Sequence, residues 1–368
     1  MGINKLKFFF TFVLCSFSLI SCQNKKMEEK FKWTGTVSAP QEYPIEVYSG
    51  ALIADDFTYS FDAIWGTQNT GWGENGGLMN VSEEQMQVPN KLEFTWYSLA
   101  EEKFYTGKWN LDQEKIFKLF KEGFKSYHSG KLVTNTYDEL IIGLAPKGKV
   151  VLWAMGEKEQ REIGVFQAHD TIITKEQGYE DAQYMLEKDY AKKRLKSDVL
   201  MTSDIKESIG LHGYPPVNIY DLFRDLYYWT PKIVLPDGYT LTEIYISTCN
   251  GESESIISGT DDTIEMKNRA VPDRLSIGFK DKNGKEYGAS VVFTENKDYW
   301  KNYVQKGLKT IPLDFYLNEI NKLFKEKVNP KEPSEIIFKI EPDSKNIELY
   351  IEQKENNIPL KNNLKLIY

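Results

Sequence analysis

The sequence predicts an α+β protein of two tandem related units, each an antiparallel sheet with a helix packed on it. Three observations point there. The 368 residues are 41% hydrophobic and 27% charged, a balance that supports a buried core and excludes disordered or collagen-like chains. Short apolar runs set between turn residues outnumber helical patterns, the arrangement of helices laid against an antiparallel sheet. The chain also repeats itself. Trp33-Thr34, Pro40 and Tyr43 recur as Trp229-Thr230, Pro236 and Tyr239; Glu139, Ile141, Pro146 and Lys149 recur as Glu335, Ile337, Pro342 and Lys345; every pair lies 196 positions apart. Val88-Pro89-Asn90-Lys91-Leu92 is matched by Val271-Pro272-Asp273-Arg274-Leu275, and the segment 116–122 by 320–326, in the same order with different spacers. A shared order and a shared offset divide the chain into units at 33–200 and 201–368.

The elements of the first unit follow in order. Leu92 to Leu99 and Lys103 to Trp109 are strands. Residues 111–126 carry Ile116, Leu119, Phe120 and Phe124 at helical spacing, with Asp112 in the first turn, where negative charge suits the helix dipole. Leu140 to Ala145, a Pro-Lys-Gly turn and Val150 to Ala154 form a hairpin. Between the units, residues 179–200 read as a polar helix and Gly210 to Pro216 as the start of a crossover. In the second unit Arg274 to Asp281 and Lys285 to Phe293 flank Asn283-Gly284, a strong hairpin signal. Leu317 to Lys327 is its helix, Ile336 to Ile340 and Ile347 to Glu352 its next hairpin, and Leu364 to Tyr368 closes the sheet.

The N-terminus reads as an address. Lys5 and Lys7 precede an apolar run from Phe8 to Ile20, right for a signal peptide and too short to span a bilayer. Leu19-Ile20-Ser21-Cys22 resembles the lipobox of bacterial lipoproteins, which implies a signal peptide over 1–21, a lipid on Cys22 and a tether over 22–32. Acyl chains contribute roughly 0.8 kcal/mol per buried CH₂, ample for anchoring. The expected location is the cell envelope, lipid-anchored in the outer membrane at its periplasmic or surface face. With Cys15 removed and Cys22 lipidated, Cys249 is left alone, a small buried hydrophobe with no disulfide partner.

Trp33, Pro40, Tyr43-Pro44, Gly71-Trp72-Gly73, Trp96-Tyr97-Ser98, Glu102-Lys103-Phe104-Tyr105, Gly143-Leu144-Ala145-Pro146-Lys147-Gly148 and Val151-Leu152-Trp153 resemble bacterial lipoproteins grouped as domain of unknown function 2931. The resemblance covers roughly residues 30–170. The second unit keeps the opening Trp and the Pro turn but lacks the Gly-Trp-Gly and Trp-Tyr-Ser groups, so a site built from those is present once. The resemblance implies an uncharacterised envelope lipoprotein, and the placing of some relatives beside secreted antibacterial effectors implies an immunity role.

Chemistry is scarcely legible. The sequence holds no His-Glu-x-x-His, Cys-x-x-Cys, phosphate-binding loop or Gly-x-Ser-x-Gly. His128, His169-Asp170 and His212 read as loop or turn residues without a nucleophile. Glu83-Glu84 and Glu101-Glu102 read as exposed charges, and Asp55-Asp56 and Asp261-Asp262 lack the spaced oxygens of a calcium loop. No catalytic residue, metal or cofactor is assigned. A net charge of −8 without a long basic run argues against nucleic acid.

One segment stands apart. From Trp33 to Asn90 there is no Lys, Arg or His, but there are Glu42, Glu46, Asp55, Asp56, Asp62, Glu74, Glu83 and Glu84, with Trp33, Tyr43, Tyr48, Phe57, Tyr59, Phe61, Trp65 and Trp72. Aromatics among acids suit a cationic protein patch; aromatics with Asn and Asp also suit sugars. A plain aromatic core with an acidic rim fits the same residues. The expected ligand-binding residues are Trp65, Trp72, Asp62, Glu74 and Asn69, on a surface loop from Gly66 to Gly77 with Trp72 exposed as its anchor. The function expected is a non-catalytic protein-binding module with a basic protein partner, an immunity protein in one setting; the alternative is a glycan-binding or glycan-processing lipoprotein.

Overall fold

The computed structural model describes residues 29–79, 85–128, 131–257, 264–293, 313–341, 346–360 and 364–367. The first half runs β1 (Thr34–Ser38), β2 (Ile45–Ile53), β3 (Thr58–Asp62), β4 (Thr67–Gln68), β5 (Lys91–Ser98), β6 (Lys103–Asn110), α1 (Gln113–Glu122), β7 (Phe124–His128), β8 (Lys131–Asn135), β9 (Glu139–Ala145), β10 (Lys149–Gly156), β11 (Glu159–Gln167) and β12 (His169–Thr171). The crossover carries α2 (Tyr190–Leu195), α3 (Ser203–His212) and α4 (Ile219–Leu222). The second half runs β13 (Tyr227–Val234), β14 (Thr240–Thr248), β15 (Ser253–Ile257), β16 (Lys267–Arg269), β17 (Pro272–Lys280), β18 (Glu286–Val292), α5 (Leu313–Lys327), β19 (Ser334–Ile340), β20 (Ile347–Gln353), β21 (Asn356–Pro359) and β22 (Leu364–Ile367). Strands dominate, with a few helices, as an α+β reading requires.

Strand order recurs. One sheet of the first half reads β12-β6-β5-β2-β3, and a stretch of another reads β1-β9-β10-β11. In the second half the corresponding orders are β22-β18-β17-β14-β15 and β13-β19-β20-β21, the latter extended by β16. Thr34 pairs with Glu139 in parallel, and Thr230 pairs with Glu335 in parallel. Trp33 Nε1 donates to the Gln87 carbonyl and Trp229 Nε1 to the Ala270 carbonyl, both at 3.1 Å. The Tyr43 and Tyr239 amides close matching Pro turns onto Pro40 and Pro236.

Three expectations are corrected. Each half carries two facing sheets, where one was expected: in the first, Leu52, Phe61 and Phe94 share a core with Leu140, Leu144 and Leu152. The sheets are not wholly antiparallel, because β1 and β13 run parallel to β9 and β19. That pairing spans about a hundred residues, and no local pattern announces it. The first helix stops at Glu122, since Gly123 caps it at φ 60° with its amide on the Leu119 carbonyl. Residues 124–135 then form a hairpin, β7–β8. Asp112 precedes α1 as its cap, accepting from the Lys115 amide at 2.9 Å. Ile116, Phe117 and Phe120 turn inward, and Phe31 packs edge-on against both phenylalanines.

The halves are joined at a seam. β11 meets β15 through Gln160 and Ser253, so one nine-stranded sheet crosses both halves. The β9–β10 layer is buried on both faces. Leu140, Ile142, Val150 and Leu152 fill the first core; Ile141, Ala145, Val151 and Trp153 fill the second with Tyr220 and Phe223 from the crossover. The crossover is itself tied back to the first half. Buried Glu46 accepts from Tyr190 OH at 2.7 Å and from Arg194 Nε at 3.3 Å, and Tyr43 OH donates to the Pro215 carbonyl at 2.5 Å. Residues 179–200, expected as one helix, hold a 3₁₀ turn over Glu180–Leu186 and the short α2. Cys249 is buried and unbridged, with Asn321 Nδ2 3.3 Å from its sulfur. Among the described residues no helix is long and apolar enough to cross a membrane. Cys22, Glu83, Glu84, Asp261, Asp262, Pro342 and Lys345 lie outside the described residues.

Candidate functional site

The expected anchor is not at the surface. Trp72 is 8% exposed, and its ring packs on Trp153 and Tyr220 with centroids 5.0 Å from each. Trp65 is also 8% exposed, set 4.8 Å from Phe61 inside the first core. The remaining aromatics of the acidic segment are buried or half-buried too. The exposed aromatic face is thus corrected to a core: large rings at the layer junctions remove more apolar area inside than a loop tip offers.

The polar candidates scatter. Asp62 is exposed and caps a 3₁₀ turn, accepting from the Ile64 amide at 2.9 Å. Asn69 is half-buried and donates to the Leu200 carbonyl at 3.0 Å, a crossover clasp. Among the other acids, Glu42 and Glu46 are buried, Asp56 pairs with Lys30 at 2.8 Å, and Asp55 accepts from Asn90 at 2.6 Å. The charge cluster read along the chain is dispersed by folding. Glu101, read with Glu102 as an exposed charge, is instead half-buried, accepting from Ser98, Tyr105 and the Lys147 amide and so tying a turn together. His169 stands on an exposed strand, and its neighbour Asp170 lies 3.9 Å from Lys103. Of the five expected ligand-binding residues, the structure brings Trp72 and Glu74 to one place.

That place is the seam. Ser38 Oγ donates to the Gly71 carbonyl at 2.6 Å and accepts from the Gly73 amide at 3.0 Å, curling the Gly-Trp-Gly loop over β1. Gly73 sits against Gly251 of the second half; a Cβ on Gly73 would meet the Gly251 Cα at 3.1 Å. Gln160 Nε2 donates to the Gly73 carbonyl at 2.9 Å, and Trp153 Nε1 donates to the Asn250 carbonyl at 3.0 Å. Trp72 is thereby a plug between the halves, and its glycines permit the close approach.

Beside the plug lies a cleft of about 140 Å³ built by both halves. The first half contributes Trp72, Glu74, Asn75, Glu157 and Lys158; the second contributes Tyr245, Ser247, Glu252 and Asp273. Its charges are four carboxylates and one ammonium, and Lys158 is already bound to Glu243 at 2.7 Å. Glu252 is held by Asn250 Nδ2 at 3.0 Å and the Glu162 amide at 3.1 Å. The Glu74 residue is exposed on its loop, yet its carboxyl titrates above the ordinary range because the cleft strips water from it and Asp273 repels it. Burial pushes the Asp273 carboxyl up as well, against the opposing Ser247 hydroxyl and Arg274 charge. The buried indole N–H of Trp72 has no acceptor. Glu157, Lys158 and Tyr245 continue into a wider trough of about 660 Å³ over β14, β17 and β18, whose floor includes the facing Gly278 and Gly288.

Charges line the seam behind the cleft. Glu254 holds Arg269 at 2.6 Å and Lys267 at 2.5 Å, and Arg269 lies 5.3 Å over the Trp229 ring. Arg161 joins Glu159 at 2.8 Å to Glu254 at 3.5 Å. Burial pushes Glu159 up to about 7 despite that cation. Sequence reasoning missed Asp273, Tyr245 and the Glu159 group, since Asp273 meets Glu74, and Glu159 meets the Ser255 amide, only across the seam. One signal was present: Asp273 stands at the position of Asn90 in the repeated Val-Pro segment.

Fold and cleft together define the class: a two-half α+β protein with an acid-rich cleft at its internal junction. The chain belongs to the family described as protein of unknown function (DUF2931), whose match spans residues 21–216, more than half of the chain. The match runs past the Trp153 strand and into the crossover that Glu46, Asn69 and Tyr43 hold, ending before α4. Neither a curated protein nor a solved structure matches the chain significantly.

Proposed function

We propose that this protein is a lipid-anchored bacterial envelope protein acting as a non-catalytic protein-binding module, with immunity against a secreted antibacterial effector as its setting. In this reading it is built from two tandem related units, and its recognition surface is the cleft between them. The single observation that carries the reading is the cleft: both halves wall it, and its carboxylates outnumber its cations four to one. Such a field speeds encounter with a basic partner and weakens with salt. The recurring strand order and the matched Thr34–Glu139 and Thr230–Glu335 pairings support the tandem units. The lipobox-like Leu19-Ile20-Ser21-Cys22 supports the anchor and lies partly within the family match.

Two measurements test this. Cys22→Ala is expected to release the protein into the soluble envelope fraction or block its maturation; a variant retained in membranes at the wild-type mature mass overturns the anchor. Binding of a basic probe, an alternating glycine–lysine decapeptide, followed by calorimetry, is expected to weaken at least tenfold in Glu74→Arg and to hold in Glu114→Arg on the exposed face of α1. Equal binding by both variants and wild type removes the cleft from the reading. A second reading, glycan binding, is favoured by Tyr245 beside the glycine floor of the adjoining trough, since sugars pack on an aromatic ring over a flat surface.

A further inference from the structure

We infer that the trough over β14, β17 and β18 binds a neutral, β-linked oligosaccharide, one sugar ring lying against the Tyr245 ring and the facing glycines Gly278 and Gly288, with its hydroxyls donating to the rim carboxylates. The inference rests on the glycan reading above and gives it a site and a guest. The register builds the floor. On one face of the sheet Glu243, Gly278 and Gly288 stand in one row, and Tyr245, Ser276 and Ser290 in the next. Facing residues without side chains, beside small hydroxyls, leave a flat, polar floor in a cavity of about 660 Å³, within the range of roughly 300–1,000 Å³ of small-ligand sites. Tyr245 supplies the platform. Its hydroxyl lies against Ser247 and Ser253 on the cleft side, and its ring walls the trough. Tyr287, the other ring of the trough, is taken: it stacks on Phe279 at 5.6 Å, and Lys285 Nζ lies 4.9 Å from its centroid. Among the described residues no ring or cation packs on Tyr245. An aromatic face attracts the slightly positive C–H groups that a gluco-configured sugar presents above and below its ring. The rim supplies acceptors. Glu157, Glu243 and Glu286 border the trough, each engaged through one oxygen, by Asn135 at 2.9 Å, Lys158 at 2.7 Å and Lys280 at 2.9 Å. The second oxygen of each accepts from a guest hydroxyl, a charge-assisted bond. Ser276 accepts from Ser290 at 2.7 Å and has its own proton to donate. Lys158 and Lys280 offset two of the three charges, so the site favours an uncharged guest. A peptide fits less well: β14 and β17 are paired on both sides, so this sheet face offers no main-chain partner to an added strand.

The probes are tetramers of N-acetylglucosamine and of β-1,4-linked glucose, titrated into the full chain and followed by calorimetry. Tetragalacturonate and the glycine–lysine decapeptide form the comparison arms. Saturable binding of at least one neutral tetramer is expected, and none of tetragalacturonate, which the rim carboxylates repel. Tyr245→Ala is expected to weaken the tetramer at least about tenfold, and Tyr245→Phe, which keeps the ring, less than about threefold. Ser276→Val sets two methyl groups on the floor and is expected to weaken binding about tenfold. Valine suits a strand, so this variant keeps the test open if Tyr245→Ala fails to fold; circular dichroism checks both. Tyr228→Ala, at an exposed position of β13, is expected to bind as wild type. Equal affinity in wild type, Tyr245→Ala and Ser276→Val overturns the inference and leaves the glycan reading with a site elsewhere. A loss in Tyr245→Phe as large as in Tyr245→Ala, or an equal loss in Tyr228→Ala, also overturns it, since the ring is then not the platform. No neutral tetramer bound by wild type overturns the inference and the glycan reading together. Decapeptide binding weakened by Glu74→Arg upholds the cleft reading in any of these cases.

Discussion

Trp72 illustrates how a glycine-flanked aromatic acts when two layers meet. Gly71 and Gly73 adopt φ of 131° and 79°, which lets the chain turn sharply and press the indole onto Trp153 and Tyr220. Trp72→Ala is therefore expected to lose about 3–5 kcal/mol of stability, measured by urea denaturation; a loss within experimental error would show the plug to be dispensable. Glu159 acts through charge. Its folded carboxyl titrates near 7 against an ordinary 4.5, because burial outweighs Arg161. A raised acid favours the folded state below about pH 4.5; as pH rises toward 7 the unfolded chain ionises first, and that contribution is lost. Glu159→Gln has no such loss. Its stability relative to wild type should rise by about 1–2 kcal/mol between pH 5 and pH 8, read from melting at each pH. A difference that stays flat or falls with pH contradicts the assignment.

At the scale of elements, the strands and helices with strong local signals were legible. The Asn283-Gly284 hairpin, the 140–154 hairpin and the α1 face from Ile116 to Phe120 all read directly from pattern. Trp33 and Trp229, matched in the sequence at the 196-residue offset, are both fully buried with matching hydrogen bonds. The β7–β8 hairpin was obscured because Phe124 continues the helical spacing past the Gly123 stop. The acidic face was misread because charge pairing is tertiary. Glu46 finds Arg194 across 148 positions, and no composition window sees that. The β14–β15 turn gives the element-scale prediction. Gly251 holds φ 87°, and a Cβ there would meet the Trp153 indole at 3.1 Å. Gly251→Ala should cost about 1–3 kcal/mol through strain and a displaced indole. Gly77→Ala, with open space around it, should cost far less. Equal melting temperatures for the two variants would contradict the close approach.

Across the whole molecule, the halves share a layer. The outer face of β9–β10, with Ile141, Val151 and Trp153, belongs to the core of the second half, so the chain folds as interdependent parts around the seam. The 196-residue offset between matching segments reads from the sequence; the seam does not, because it forms from segments the two halves do not share. Gly-Trp-Gly occurs in the first half alone, and its Gly73 packs on Gly251 where both line the cleft. The proposed recognition at that cleft is tested most directly by hydrogen exchange on the full chain, with and without a basic alternating glycine–lysine decapeptide. The account predicts protection appearing together in residues 72–76 of the first half and 245–252 of the second, at one peptide concentration. Protection confined to the exposed turn around Asp62 and Ile64, or to either half alone, would contradict it.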